Sequence, residues 1–275
     1  MSGPQAAPAA PPAPVRSEPW ATAGQAKPAR VYDLLLDGKD NYAADRDLVD
    51  RMLRVQPHVR TAARENRAFV RRAVRALAER GVAQFLDIGC GLPTRENVHA
   101  IAQRHVPGAR VVYADHDPVV LSHARALLAD DANVSVVRAD LRDRDGLLET
   151  VTAAAPLDWT RPVGVLLTSV LHHLADADRP GDTVAALRRA MAPGSALVVS
   201  HLTADPAPAA IAETAALYTA GCGTPLVPRG RAEVAAFLGD LEPLLPGVVF
   251  TSEWRPEGPV RPPDQALMYA AVAVR

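Results

Sequence analysis

Gln84-Phe85-Leu86-Asp87-Ile88-Gly89-Cys90-Gly91-Leu92-Pro93-Thr94 is a short apolar run that opens directly into a glycine turn with an acid at its mouth. An apolar run of this length bounded by glycine predicts a buried strand, and the turn predicts a nucleotide-cofactor pocket at its end. Glycine has no Cβ, so Gly89 and Gly91 can take positive φ and bring backbone N–H groups close to a ligand. The spacing predicts a helix from about Thr94, with the Thr94 hydroxyl as its cap and Glu96 near the positive end of its dipole. Three readings compete for this turn: S-adenosylmethionine, a dinucleotide, or a strand-turn-helix with no ligand.

A dinucleotide fold places a third glycine where Thr94 stands, and its turn binds pyrophosphate. The Asp87 carboxylate would repel pyrophosphate but suits a cofactor that carries an ammonium and a sulfonium. Two further apolar runs end in acids, Arg110 to Asp115 and Val134 to Asp140. A carboxylate at the end of the second strand can accept hydrogen bonds from both ribose hydroxyls, or it can merely cap the helix expected from Pro118. In open α/β sheets ligands sit outside the carboxyl ends of the strands, where Asp87, Asp115 and Asp140 would all lie.

The chain resembles the class I S-adenosylmethionine-dependent methyltransferases, and within them a bacterial S-adenosyl methyltransferase family first described as a domain of unknown function. The resemblance rests on Arg30 to Arg46, Glu65 to Phe69, Leu86 to Val98, Val112 to Ala126, Ala139 to Asp143 and Leu166 to Leu174, and it extends over almost everything from Arg30 to Arg275. It implies a Rossmann-like α/β fold with a seven-stranded sheet and S-adenosylmethionine as cofactor. Asp87, Gly89 and Gly91 would line the methionine end, Asp115 the ribose and Asp140 the adenine amino group, with His116, Leu141 and Ser169 also in contact. Pro93 replaces the third glycine of the general loop, and Asp37 stands where a glycine is expected before Gly38. The resemblance says little about the acceptor.

Composition fits one domain with an appendage: 275 residues, 48% hydrophobic, can bury a full core. A net charge of −1 gives no pull toward nucleic acid or anionic membrane. Cys90 and Cys222 are the two cysteines, too few for a disulfide framework or a metal site, and are expected as free thiols in the cytoplasm. No run is long and apolar enough to suggest a membrane span. Residues 1–29 hold seven prolines and read as a disordered tail.

Residues 30–81 read as a helical cap before a core at 82–275. The expected helices run from Arg30 to Leu36, from about Tyr42 to Val55, and from Pro57 to Arg80. On the third, Ala63, Asn66, Val70, Val74 and Leu77 form one stripe and Arg60, Arg64, Arg67, Arg71 and Arg75 the next. Such an arginine stripe is commonly a solvated or ion-paired face; alternatively Arg64 or Arg67 reaches the cleft to hold a carboxylate. The polar segment Gly38 to Arg46 reads either as a connecting loop with Asn41 as helix cap or as a lid bearing Lys39, Asn41, Tyr42 and Arg46 on the substrate side.

The fourth strand, Val163 to Thr168, opens into Ser169-Val170-Leu171-His172-His173. His172 and His173 are the candidate general bases, although adjacent residues point in different directions and no third ligand suggests a metal. A fifth strand at Ser195 to Ser200 and a closing antiparallel pair, Val248 to Phe250 with Ala266 to Val274, complete the expected sheet. The leading expectation is methyl transfer to a small-molecule acceptor in specialised metabolism. A nicotinamide-dependent oxidoreductase and a non-catalytic S-adenosylmethionine-binding sensor or scaffold are the alternatives, and the oligomeric state is not legible.

Overall fold

Several of the expected strands are buried along nearly their whole length, a pattern that requires a sheet covered on both faces. The computed structural model describes residues 24–94, 96–128, 131–154 and 157–275. Its strands are β1 (Gln84–Ile88), β2 (Arg110–Asp115), β3 (Val134–Arg138), β4 (Gly164–Thr168), β5 (Ala196–Leu202), β6 (Glu242–Pro243), β7 (Val249–Phe250) and β8 (Met268–Val274). They lie in the order β3-β2-β1-β4-β5-β8, the first five parallel and β8 antiparallel to β5. Both β6 and β7 pair with β8, at Glu242↔Val274 and Phe250↔Tyr269. The eight strands therefore fill seven lateral positions, the last shared by two short pieces. Pro243 and Pro246 have no N–H to donate, which explains why this edge is broken.

The helices are α1 (Pro28–Leu35), α2 (Ala43–Val55), α3 (Val59–Glu79), α4 (Val98–His105), α5 (Pro118–Leu128), α6 (Arg144–Ala153), α7 (Pro180–Ala190), α8 (Pro208–Cys222), α9 (Arg231–Ala236) and α10 (Pro263–Ala266). Three starts differ from expectation. α1 begins at Pro28, inside the stretch expected as a tail, whose residues 1–23 lie outside the described residues. α3 begins at Val59 rather than Pro57. α4 begins at Val98, because Asn97 Oδ1 accepts the Thr94 N–H at 2.8 Å and so holds a turn ahead of the helix; Asn97, not Thr94, is the cap residue.

Apolar layers cover both faces of the sheet, one including Leu86, Leu167 and Leu197 and the other Phe69, Phe85 and Trp254. A third cluster joins the cap to α8: Leu48, Val49 and Met52 of α2 pack with Ile211 and Tyr218. Both stripes of α3 find partners. Ala63, Asn66, Val70, Val74 and Leu77 are buried. On the arginine side, Arg60 and Arg64 bond the two Asp37 oxygens at 2.7 and 2.5 Å, and Arg71 and Arg75 both pair with Glu257. Asp37 has φ +62°, a left-handed conformation that aspartate tolerates, so the turn before Gly38 forms without the expected glycine.

A column of hydrogen bonds, buried where Ser200 meets Asn66, crosses from the sheet to the cap. The Ser169 N–H donates to Ser200 Oγ at 3.0 Å, and Ser200 Oγ donates to Asn66 Oδ1 at 2.6 Å. Asn66 Nδ2 donates to the Tyr32 hydroxyl at 2.7 Å, and Tyr32 donates to the Ala63 carbonyl at 3.3 Å. Removing one partner leaves a buried polar group unsatisfied, which costs about 1–3 kcal/mol. Asn66→Ala is therefore expected to lower unfolding stability by about that amount in urea denaturation; an unchanged midpoint would show that water replaces the column.

Candidate functional site

The sheet order reverses between β1 and β4, and the loops leaving those two strands part there to form a crevice. A cavity of about 230 Å³ fills it, lined by Asp87 to Gly91, Asp115 to Asp117, Ala139 to Arg142 and Thr168 to Val170, and roofed by side chains of α1, α2, α3 and α8. Asp87, Gly89, Gly91, Asp115, His116, Asp140, Leu141, Ser169, His172, His173 and Arg67 all line it.

The glycine turn is shaped by two contacts. Gly89 has φ +70°, and a Cβ there would lie 2.3 Å from Val170 Cγ2, so the turns after β1 and β4 meet only because glycine stands here. Gly91, at φ +65°, lines the cavity, and a Cβ there would meet nothing within 4 Å, so a ligand has room to approach the backbone. Asp115 holds this turn: Oδ2 accepts the Gly91 N–H at 3.1 Å and Oδ1 the Asp117 N–H at 2.9 Å. The cap of α5 is instead Asp117, whose carboxylate accepts the Val119 N–H at 2.8 Å. Asp115 is thus free of the capping task and retains lone pairs for a diol.

Two buried carboxylates face one cavity. Burial pushes Asp87 up to about 6; the Arg67 charge pulls it down and Asp115 pushes it up. Burial also raises Asp115, against the pull of the Asp117 and Gly91 N–H groups. Arg67 Nη2 bonds Thr94 Oγ1 at 2.9 Å and the Glu96 carbonyl at 2.7 Å, so this arginine braces the turn from the cap side. Asp140 is more exposed and is clasped by Arg142 through Nε at 3.0 Å and Nη2 at 2.7 Å. Burial pushes Asp140 up, but these bonds together hold it below its ordinary range. The exposed His116 ring lies 3.6 Å from Asp115 Oδ1.

The histidines occupy distinct positions. His172 Nδ1 accepts the Leu202 N–H at 3.2 Å, which places its proton on Nε2, and burial pulls its pKa well below the usual value. His173 is oriented the other way. Its Nδ1 lies 3.3 Å from the Pro225 carbonyl, an acceptor only, so Nδ1 carries the proton and Nε2 keeps a free lone pair. Burial pulls His173 to about 4. Its ring lies parallel to Tyr218 at 5.5 Å.

Lys39, Asn41, Tyr42 and Arg46 do not line the cavity, and neither does Arg64. The buried Asp33 carboxylate accepts the Asp40 N–H at 2.9 Å and the Asn41 amide at 3.2 Å, which wraps the Gly38–Asn41 turn around itself. Arg46 then bonds Asn41, and Tyr42 is exposed beneath Arg30. Arg64 is drawn outward to Asp37.

Sequence reasoning missed Arg229 and His201. Arg229 is 5% exposed and donates to the Leu171 carbonyl at 3.2 Å, the Leu174 carbonyl at 3.1 Å, His201 Nε2 at 3.1 Å and Asp176 Oδ1 at 2.7 Å. It staples the two-histidine loop to β5. No local pattern around Arg229 marks this, because all its partners are distant in sequence. Ser200 and Tyr218 were missed for the same reason, whereas Asn66 carried a signal as the one polar member of an apolar stripe. Among the described residues no group of three or more His, Cys, Asp or Glu side chains has a metal-holding arrangement, and no helix is long and apolar enough to cross a membrane.

The chain can be set beside known proteins. A family model described as S-adenosyl methyltransferase matches residues 18–275. A protein from Thermobifida fusca YX described as a candidate methyltransferase is 39% identical, with 96% of this chain and 99% of that one covered and a TM-score of 0.87. A DUF574 family protein from Streptomyces avermitilis MA-4680 is 37% identical over 91% of this chain and 98% of that one, with a TM-score of 0.85. An O-methyltransferase family protein from Burkholderia thailandensis, 17% identical over 84% of this chain and 68% of that one at a TM-score of 0.50, shares the fold. No curated protein matches this chain.

Arg229→Met removes four hydrogen-bonding contacts at once while keeping an apolar stem. It is expected to lower stability by about 1–3 kcal/mol and to broaden the His172 and His173 ring signals in NMR; sharp, unshifted signals would contradict the staple.

Proposed function

Since the chain belongs to the S-adenosyl methyltransferase family, we propose that its crevice transfers a methyl group from S-adenosylmethionine to a small molecule enclosed beneath the cap. One observation carries the assignment of ends: two buried carboxylates, Asp87 and Asp115, line the same cavity as the glycine turn at Gly89 and Gly91. Such a site repels phosphate and suits a cation beside a diol. S-adenosylmethionine supplies an electrophilic methyl group on a sulfonium, so positioning of the acceptor does most of the chemistry.

In this reading Asp87 offers its charge to the methionine ammonium and Asp115 receives the ribose hydroxyls. Asp140, Leu141 and His116 border the adenine. Gly89, Gly91 and Ser169 supply close backbone, and Ser169, at φ +56° and fixed by Ser200, shapes the floor where the methyl is presented. His173 Nε2 takes the acceptor's proton, while His172, whose Nδ1 is occupied by the backbone, positions the loop.

Calorimetry against S-adenosylmethionine and NAD tests the reading: heat with the first and none with the second is expected, and the reverse overturns it. Asp115→Ala removes charged hydrogen bonds of about 1.5–3 kcal/mol, so cofactor affinity should fall roughly 10- to 150-fold with the fold retained; unchanged affinity would leave the acid as a turn brace alone.

The pH dependence follows from Asp87. Its folded pKa of about 6 lies above the ordinary 3.8, so the stability linked to its proton is full below the ordinary value and lost as pH rises through 6. A cationic ligand requires the ionised form. Affinity for S-adenosylmethionine should therefore weaken as pH falls below about 6, by up to tenfold per pH unit, and less steeply in Asp87→Asn, where Asp115 alone still titrates. A parallel slope in the variant would place the titrating group elsewhere. His173→Phe should lower kcat by about 10²–10⁴ with cofactor affinity unchanged; an unchanged kcat would mean that no base is used.

A further inference from the structure

The cavity has two chemically different halves. The half beneath the strand ends carries the Asp and Arg side chains of the described lining: Arg67, Asp87, Asp115, Asp117, Asp140 and Arg142. The half beneath the cap is walled by Val31, Leu35, Met52, Val59, Ile211 and Leu226, with further apolar side chains between them. Its histidines are held neutral by burial. Three of its polar side chains are engaged within the protein: Asn66 and Tyr32 by the hydrogen-bond column and Thr214 by the Ala210 carbonyl at 2.7 Å. His173 also lines the cavity, and among the described residues its Nε2 has no hydrogen-bond partner and is an open acceptor.

We infer that the methyl acceptor is a neutral, largely apolar molecule that presents a hydroxyl to His173, an inference that rests on the cofactor reading above. A carboxylate or phosphate in the cap half would lose its hydration with no cation to replace it, because the two arginines of the lining stand at the cofactor half and are engaged by Thr94, Glu96 and Asp140. An apolar body loses nothing there and gains from leaving water. Met52 and Met268, flexible and polarizable, let the walls adapt to the body's outline. In the transfer the acceptor oxygen forms a bond to the methyl carbon and the C–S bond breaks with its electron pair going to sulfur, leaving a neutral thioether. The hydroxyl proton passes to His173 Nε2 and then to solvent.

Wild-type protein loaded with S-adenosylhomocysteine, whose binding is verified first by calorimetry, is titrated with three probes: 2-naphthol, 6-hydroxy-2-naphthoic acid and 2-methoxynaphthalene. The expected order is 2-naphthol at least tenfold tighter than the carboxylate at pH 7.5 and several-fold tighter than the methyl ether, with the second gap closed in His173→Phe. Equal or tighter binding of the carboxylate overturns the inference, as does no binding of 2-naphthol to protein that holds S-adenosylhomocysteine. Equal binding of naphthol and its methyl ether overturns the hydroxyl's role. Protein that binds no S-adenosylhomocysteine overturns the cofactor reading itself, which the loading step reports separately.

Discussion

The hydrogen-bond column from Ser169 through Ser200 and Asn66 to Tyr32 is the constraint on which the rest of the molecule depends. A sheet of this order presents an open crevice at its carboxyl ends, and nothing in the sheet determines what covers it. Ser200 lies on β5 and Asn66 on α3, so a 2.6 Å bond ties α3 to the strand ends beside the apolar face, Phe69, Val70 and Leu77, that packs it on the sheet. α3 is anchored again further along, where buried Arg72 donates to the Thr251 and Trp254 carbonyls at 2.6 and 2.9 Å. Between those anchors α3 offers Arg67 to the glycine turn, and α1 and α2 pack on its other side to close the apolar half.

This arrangement explains how one cavity holds opposite chemistries. The sheet contributes strand-end acids because polar side chains belong where strands leave the core. The cap contributes aliphatic side chains because its helices must bury a face against each other and α8. Where the two meet, Arg67 lowers the cost of keeping Asp87 near the turn, and Arg229 fixes the loop that carries His173. Both arginines bond backbone carbonyls, Arg67 that of Glu96 and Arg229 those of Leu171 and Leu174, a use for which the planar guanidinium fork is suited.

The parallel half of the fold was legible because its signals are local. Buried strands read as continuous apolar runs; Asp115 ends β2, Asp87 stands one residue inside the end of β1, and Asp140 lies two residues beyond β3, which stops at Arg138. The turn at Gly89 and Gly91 was legible because positive φ there requires glycine. Helix starts at Thr94 and Pro57 were misplaced because Asn97 competes for the cap and because residues 57–58 form a separate turn. The segment from Lys39 to Arg46 read as a lid since its polarity was visible, whereas the buried Asp33 that gathers it was not. The roles of Arg229, Ser200 and Tyr218 rest on tertiary neighbours alone. The difference between His172 and His173 was beyond sequence altogether, since it depends on whether a backbone N–H or a carbonyl faces each ring.

A structure of the protein with S-adenosylhomocysteine bound tests the division of the cavity most directly. The ribose hydroxyls are expected within hydrogen-bonding distance of Asp115 and the amino group beside Asp87, with the sulfur facing His173 and the apolar half empty beyond it. Adenine or ribose lying among Val31, Met52 and Ile211, with Asp115 out of reach, would contradict it.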